Sequence, residues 1–281
     1  MTLAHPATGI HVHPTALVET GAEFGAGVIV GPFCHVGPNV KLGANVELMS
    51  HCVVTGDTTL EDNVRVFPHA VLGGEPQNLA YKGERTTLRV GKNTVIREGV
   101  TMHLGTGNAL GETVVGENCM FLAYSHVAHD CIIGDHVTFA NNVMIGGHTR
   151  IDDRVIVGGG AAIHQFCHIG HHAFIGGMAG VEHDVIPFGL VMGNRAHLAG
   201  LNLVGMKRSG MARDDINALR HGFKKLFADN GVSLRENAAK LAEDSGESSA
   251  VRDIAMFVLT DSKRKFTTPA KRSRDDAAGI E

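Results

Sequence analysis

Every sixth residue over most of the first two-thirds of the chain is aliphatic or phenylalanine, and this period severely limits the possible folds. The series runs from Val12 to Leu72, resumes at Val90 and runs again from Val115 to Val181. A period of six does not follow the α-helical turn of about 3.6 residues, and the many β-branched residues favour strands. The sequence therefore predicts short strands separated by turns. Because such a unit cannot bury its own apolar face, successive coils must stack on one another.

The hexad resembles that of the left-handed parallel β-helix, in which three hexads form one triangular coil of about 18 residues. Its second place is often glycine, and its fifth place is small or β-branched. The cysteines all occupy this fifth place: Cys34, Cys52, Cys119, Cys131 and Cys167. Since buried thiols behave as small hydrophobic groups, we predict structural cysteines in a reducing compartment, without disulfides or metal binding.

Composition excludes several classes of protein. A net charge of -4 over 281 residues shows no nucleic-acid signature. The N-terminus lacks the basic start and apolar run of a signal peptide, and no apolar run is long enough to span a bilayer. We therefore expect a cytoplasmic protein with no nucleic-acid partner and no membrane span.

The histidines of residues 126–164 are predicted to meet, because residues one coil apart lie one above the other at about 4.8 Å. Gly147 follows His129 by 18 residues, and His148 follows Asp130 by 18. The same spacing places His164 two coils above residue 128. We therefore predict one polar edge over three successive coils, formed by His126, His129, Asp130, His148 and His164.

This edge carries the parts of an acid–base site. Histidine accepts a proton near neutral pH, so His129 is a candidate general base. Asp130 can fix its tautomer, and the backbone N–H of Gly147, which has no side chain, can approach a reacting oxygen. The two breaks in the hexads, residues 74–89 and 103–113, are polar loops that either carry binding residues or are inert excursions.

The hexads end near Pro187, and from Asp214 the period becomes helical. We predict a catalytic β-helix over residues 1–190 and a helical domain over 191–281, with nucleotide and carrier-protein contacts and a tail flexible from about 266. Gly231 marks the predicted end of the first helix, and Ser233 with Glu236 forms a capping box at the start of the second. The basic residues near the first helix are either a solvated face or a dock for an acidic partner or a phosphate.

Several motifs resemble those of the UDP-N-acetylglucosamine acyltransferases, over nearly the whole chain: "YKGERT", "SHVAHDCIIGD", "NNVMIGGH", "AAIHQFCHIG" and "GMKRSG". The resemblance implies a homotrimer with active sites between subunits. It also implies transfer of a 3-hydroxyacyl chain from acyl carrier protein to the glucosamine 3-position of the UDP-sugar, the first step of lipid A synthesis. The acyl carrier protein thioester is then a co-substrate, and no cofactor or metal is expected.

The resemblance also assigns roles to residues. It implies that His129 is the general base, Asp130 its orienting partner and Gly147 the oxyanion donor. Gly177 matches a position that measures acyl length, and Asn202 and Arg208 match nucleotide-binding positions contributed across the subunit interface. Contacts to sugar, diphosphate or the phosphopantetheine arm are implied for Gln77, Asn78, His126, His148, His164 and Gln165.

The chain departs from the family pattern at Asn78, Ala80, Val204 and Ser209, which leaves a 3-amino UDP-sugar open as the acceptor. Two other enzymes are alternatives: the later N-acyltransferase of the same pathway, and a zinc carbonic-anhydrase-like hydratase with His126, His129 and His148 as ligands. The N-acyltransferases carry an extra N-terminal domain, whereas here the hexads begin by Val12. A third alternative is a scaffold without enzymatic activity.

Overall fold

The computed structural model of the protein describes residues 9–244 and 248–270. Within these residues the chain forms 28 strands followed by four helices, and most of the strands contain only two residues. The first fourteen strands are β1 (His11–Val12), β2 (Leu17–Val18), β3 (Glu23–Phe24), β4 (Ile29–Val30), β5 (His35–Val36), β6 (Lys41–Leu42), β7 (Glu47–Leu48), β8 (Val53–Val54), β9 (Asp57–Leu60), β10 (Arg65–Val66), β11 (Val71–Gly74), β12 (Thr87–Val90), β13 (Val95–Ile96) and β14 (Thr101–His103). The others are β15 (Glu112–Val115), β16 (Met120–Phe121), β17 (His126–Val127), β18 (Ile132–Ile133), β19 (Thr138–Phe139), β20 (Met144–Ile145), β21 (Arg150–Ile151), β22 (Ile156–Val157), β23 (Ala162–Ile163), β24 (His168–Ile169), β25 (Phe174–Ile175), β26 (Gly180–Val181), β27 (Gly189–Met192) and β28 (His197–Leu201).

Every third strand belongs to the same sheet, so that three parallel sheets form the faces of a prism. The first sheet runs from β1 to β25 and β27, the second from β2 to β26, and the third from β3 to β24. Stacked residues are 18 apart, as in the pairs Val12 with Val30 and His126 with Met144. The predicted fold, a left-handed parallel β-helix with an 18-residue coil followed by helices, is confirmed.

Two coils are longer than the others because they contain the two loops that interrupt the hexads. In the second sheet, Leu72 pairs with Met102, and Met102 pairs with Val127. These partners are 30 and 25 residues apart instead of 18. Both loops leave the second sheet and return in the third, so they emerge at the same corner of the prism.

The interior of the prism is filled by the aliphatic hexad positions. Val127, Ile145 and Ile163 stack directly on one another in the second sheet and are all buried. Complete burial of such a side chain contributes about 1.5–3 kcal/mol to stability. All five cysteines are also buried and carry free thiols, which confirms that the fifth place of the hexad points inward.

The corner between the third and first sheets shows how the turns are held. Asn45, Asn63, Asn93 and Asn118 all have φ between 56° and 60°. Asparagine enters this left-handed region more easily than most residues do. The side-chain amides of the first three each donate to the side-chain oxygen of the next asparagine, at 3.1–3.2 Å, so the four side chains form a ladder.

We expect Asn63→Ala to lower the stability more than Asn63→Gly does. Both changes remove the ladder hydrogen bonds, but only alanine is strained at φ 60°, by about 1–2 kcal/mol. The glycine variant avoids this strain, but the greater entropy of its unfolded chain offsets about 0.4–1 kcal/mol of the difference in stability. Thermal midpoints of the two variants measure the difference; equal midpoints would contradict the role assigned to the backbone conformation.

The chain leaves the prism through the antiparallel pair β27–β28, which still belongs to the first sheet. The domain boundary predicted after residue 190 therefore falls inside β27, because this hairpin continues the sheet up to Leu201. The helices follow as α1 (Leu203–Arg208), α2 (Arg213–Leu226), α3 (Leu234–Glu243) and α4 (Ser249–Leu259).

Helices α2, α3 and α4 pack together through apolar faces that include Leu219, Leu241 and Ile254. The capping box of Ser233 and Glu236 at the start of α3 is confirmed. The prediction that Gly231 ends α2 is wrong. The helix ends at Leu226, and the backbone N–H of Phe227 donates to the Phe223 carbonyl at 3.1 Å, while Gly231 takes a positive φ in the following loop.

Residues 262–268, here called the strap, return from α4 to the last coil of the prism. The backbone N–H of Asp184 donates to the Lys265 carbonyl at 2.8 Å, and the N–H of Thr267 donates to the Asp184 carbonyl at 2.7 Å. Thr267 is buried. The chain is thus fixed at the start of the predicted flexible tail, while residues 271–281 lie outside the described residues.

A search of the described residues finds no helix that is both long and apolar enough to cross a membrane.

Candidate functional site

The corner between the second and third sheets, here called the site corner, stacks the predicted polar residues over three coils. Its turns are His129–Asp130, Gly147–His148 and Gln165–Phe166. The N–H of His148 donates to the His129 carbonyl at 3.0 Å, and the N–H of Phe166 donates to the Gly147 carbonyl at 3.1 Å. These bonds fix the vertical register that the 18-residue spacing predicts.

Side-chain rings continue this column outside the backbone. The rings of His129 and His148 meet edge to face with centroids 4.9 Å apart, and His148 lies parallel to Phe166 at 4.5 Å. The ammonium group of Lys263, from the strap, lies 4.8 Å from the centre of the Phe166 ring. Burial lowers the pKa of His148, and the nearby Asp130 opposes this effect.

His129 and Asp130 form a hydrogen-bonded pair, with Nδ1 of His129 at 2.8 Å from Oδ2 of Asp130. The Asp130 carboxylate is held from the other side by the second loop. It accepts from the backbone N–H and hydroxyl of Thr106 at 3.0 and 2.6 Å, and from the N–H of Gly111 at 3.1 Å. This loop is therefore part of the site.

The charge of Asp130 follows from these bonds. Burial by itself raises the pKa of the carboxyl group, but hydrogen bonds from Thr106 and His129 outweigh it and the net pKa is lowered. An ionised carboxylate accepts hydrogen bonds only, so Nδ1 of His129 must carry a proton. Nε2 of His129 then has a free lone pair and is the atom available to act as a base.

Gly147 makes room for this base. A Cβ added at Gly147 would lie 2.7 Å from Cε1 and 2.8 Å from Nε2 of His129, so the imidazole ring occupies the space that any side chain would need. The N–H of Gly147 donates to no acceptor in the described part of the chain. It is therefore available to an oxygen atom that approaches the His129 ring.

A cleft of about 340 Å³ opens in front of the pair. The first loop contributes Gln77 to its wall, and the other lining residues are His103, His126, Ala128, His129, Gly146, Gly147, His164 and Gln165. The cleft therefore contains six of the predicted site residues. His103 was missed, because the second loop, which begins at His103, breaks the period of six and hides that this residue lies one coil below Ala128.

His126 is a neutral group in this cleft. Burial lowers its pKa to about 4, with smaller effects from His103 and His129. Its Nδ1 is 2.8 Å from the hydroxyl of Thr101, and its ring meets His103 edge to face at 5.2 Å. A neutral imidazole can both donate and accept hydrogen bonds, which suits the binding of sugar hydroxyl groups.

Besides Asp130 and His148, which contact the His129 ring directly, four predicted site residues do not line this cleft. The side chain of Asn78 accepts from the N–H of Ala80 at 2.9 Å within the first loop. Gly177 lies at the corner between the first and second sheets, and Arg208 is exposed in the last turn of α1.

Asn202, the fourth, is used for folding. Its Oδ1 accepts from the N–H of Gly205 and caps α1, and its amide donates to the His172 carbonyl, both at 2.9 Å. Within one chain, neither Asn202 nor Arg208 reaches His129; the sequence resemblance places both across a subunit interface.

One group of side chains has the composition of a metal site. Ligand atoms of His129, Asp130 and His148 lie within 4.8 Å of one another. However, the two oxygens of Asp130 already accept four hydrogen bonds, from Thr106, Gly111 and His129. A metal would have to displace these bonds, and His126, a ligand in the hydratase alternative, is not part of the group. The donor set therefore suits proton transfer better than zinc binding.

Comparisons with known proteins show which family the chain resembles. The family profile described as "Udp N-acetylglucosamine O-acyltransferase; Domain 2" matches residues 184–267, and "Bacterial transferase hexapeptide (six repeats)" matches residues 21–56 and 112–147. A solved UDP-N-acetylglucosamine acyltransferase of Francisella novicida superposes with a TM-score of 0.89 at 32% identity, over 96% of this chain and 99% of that chain.

Curated relatives are closer in sequence. A Brucella ovis protein named acyl-(acyl-carrier-protein)–UDP-N-acetylglucosamine O-acyltransferase is 55% identical over 95% of this chain and 96% of its own length. A Bartonella henselae protein of the same name is 51% identical over 93% of this chain and 95% of its own length. The chain therefore belongs to the UDP-N-acetylglucosamine O-acyltransferase family.

Proposed function

We infer that this protein is an acyltransferase that moves a 3-hydroxyacyl chain from acyl carrier protein to the glucosamine 3-position of UDP-N-acetylglucosamine. This is the first step of lipid A biosynthesis. The observation that carries the inference is the His129–Asp130 pair, which faces the free N–H of Gly147 in an open cleft. Relatives that are 51–55% identical over nearly the whole chain are named for the same reaction.

The geometry supports direct transfer. Nε2 of His129 takes the proton of the glucosamine 3-hydroxyl group as its oxygen attacks the thioester carbonyl carbon. The N–H of Gly147 donates to the oxyanion of the tetrahedral intermediate. The imidazolium then returns the proton to the leaving thiolate as the intermediate collapses, while Asp130 stabilises the positive ring throughout. No cofactor, metal or covalent acyl-enzyme is needed, and the buried cysteines take no part.

Substrate binding is assigned to the remaining residues. Gln77, His126, His164 and Gln165 line the cleft and offer hydrogen bonds to the sugar, the diphosphate or the phosphopantetheine arm. We assign Asn78 and His148 to the same set, Asn202 and Arg208 to the nucleotide across the interface of a homotrimer, and Gly177 to acyl-length selection. A cytoplasmic location fits these soluble substrates. The relatives are named as O-acyltransferases, which favours the hydroxyl over the 3-amino acceptor.

We expect His129→Gln to lower kcat by about 10²–10⁴, the usual contribution of a general base, with little change in the assembly state. The measurement is turnover of 3-hydroxyacyl carrier protein with UDP-N-acetylglucosamine, with the product identified by mass spectrometry. His136→Asn is the matched control, because His136 is exposed on another corner and asparagine tolerates its φ of 57°.

Near-normal turnover by His129→Gln would refute the mechanism. Wild-type activity on a 3-amino sugar alone would refute the proposed acceptor.

Gly147→Ala should also lower kcat, by about 10–100-fold, because the methyl group collides with the His129 ring and moves it away from the oxyanion donor. Gly159→Ala is the control for the fold: it changes the equivalent turn of another corner, where the nearest atom, the Asn141 carbonyl oxygen, lies 3.3 Å from the new Cβ. Kinetics and thermal midpoints of both variants test this. Full activity of Gly147→Ala would show that the His129 ring tolerates the added methyl group and would contradict this prediction.

The neutral state of His126 predicts a pH dependence of stability. Its pKa in the folded protein is about 4, against an ordinary value of 6.5. The unfolded chain therefore binds the proton first, so stability is complete above about pH 6.5 and falls as the pH drops towards 4. We expect His126→Gln to lose less thermal stability than the wild type between pH 6.5 and 4.5. Parallel melting curves over this range would contradict the assignment.

A further inference from the structure

The strap brings two basic residues to the cleft from the far end of the chain. It is anchored beneath them at the last coil: the hydroxyl of Ser262 donates to the carboxylate of Asp184, and the hydroxyl of Thr267 donates to the His183 carbonyl at 3.3 Å. The N–H of Leu198 also donates to the Thr268 carbonyl at 3.0 Å. Residues 263 and 264 are therefore held at the upper end of the site corner.

Arg264 contacts two residues that line the cleft. A terminal nitrogen of its guanidinium group lies 2.6 Å from Nδ1 of His164, and its Nε donates to the Gln165 carbonyl at 3.1 Å. The first contact joins residues 100 positions apart in the chain. The sequence motifs of the site contain no sign of it.

This contact determines the tautomer of His164. A guanidinium group donates hydrogen bonds and accepts none, so Nδ1 of His164 must be the acceptor. The ring proton is then on Nε2. The Gln165 carbonyl, 3.3 Å from Nδ1, could accept only from a protonated Nδ1, and the guanidinium donor at 2.6 Å excludes a proton on that nitrogen. His164 consequently presents Nε2–H as its free hydrogen-bonding group.

The charges around His164 favour an anion. Among the described residues, neither Lys263 nor Arg264 forms a salt bridge with a carboxylate. Lys263 lies instead over the face of Phe166 at 4.8 Å. One fixed N–H donor beside two basic side chains without a salt-bridge partner matches the chemistry of a phosphate group.

We propose that Arg264 is a positioning residue, which holds His164 as the Nε2–H tautomer so that the imidazole donates to a phosphate ester of a substrate. This proposal rests on the proposed function, since it assigns a task within the same cleft. Two substrates carry such a group: the diphosphate of the UDP-sugar and the phosphodiester of the phosphopantetheine arm on the carrier protein.

The test is a double-mutant cycle with Arg264→Ala and His164→Ala, using KM for UDP-N-acetylglucosamine and for acyl carrier protein thioester. We expect each single change to raise one of the two KM values about tenfold with a smaller effect on kcat, and the double variant to resemble His164→Ala within about twofold. The substrate whose KM changes identifies the phosphate. If it is the carrier, the effect of Arg264→Ala disappears with acyl-pantetheine, which lacks the phosphate.

Lys265→Ala is the matched control, because it removes an equal charge from the strap while its side chain lines a different cavity, beside Arg195 and His197. We expect its KM values to be unchanged. Additive effects of the two substitutions, or unchanged KM values for Arg264→Ala, would overturn the proposal. Turnover by the wild type would still support the transferase activity, so the two failures can be distinguished.

A spectroscopic measurement separates positioning from a general loss of structure. The ¹⁵N shifts of the His164 ring should report the Nε2–H tautomer in the wild type and a mixture in Arg264→Ala, with Arg264→Lys restoring part of the wild-type signal because lysine also donates. An identical ring spectrum in Arg264→Ala would count against the proposal even if the KM values changed.

Discussion

The vertical register of the coils is the constraint on which the site depends. Parallel strands with an 18-residue repeat place His129 directly under Gly147, and the backbone bond from His148 to the His129 carbonyl locks that arrangement. A shift of one residue would turn every inward side chain outward, so the buried hexad positions oppose any slip. The packing of the aliphatic core thus determines the distance between His129 and Gly147, the proposed base and oxyanion donor.

The insertions show how a repetitive scaffold acquires a single site. Most coils are alike, yet the His129–Asp130 pair occurs at one corner, where both loops leave the prism. The second loop supplies three hydrogen bonds to Asp130, and the first places Gln77 in the cleft wall. The carboxylate needs these donors, because burial alone would favour its protonated form. Without them, Asp130 would no longer require a proton on Nδ1 of His129.

The period of six allowed the prism, its inward cysteines and the stacking of the polar corner to be predicted, since these depend on local residue patterns. Contacts that close over long or irregular stretches were not predictable in the same way. His103 was missed because its coil contains 25 residues. Arg264 was missed because the sequence pattern does not show which part of the prism the strap contacts after four intervening helices. Asn202 also has a structural task that a motif does not show, because its side chain caps α1.

Contacts between stacked coils and contacts from the strap position different parts of the site. His129, Asp130 and Gly147, the proposed base, its partner and the oxyanion donor, lie within two coils and are held by backbone hydrogen bonds, so their geometry is as rigid as the prism. The ring of His164, by contrast, takes its orientation from the strap, whose own anchor is Asp184 on the last coil. Burial raises the pKa of Asp184, with hydrogen bonds from Ser262 and the backbone opposing the shift. The proposed proton transfer therefore depends on local stacking, whereas the orientation of His164, the proposed binding group, depends on how the C-terminal chain packs against the end of the prism.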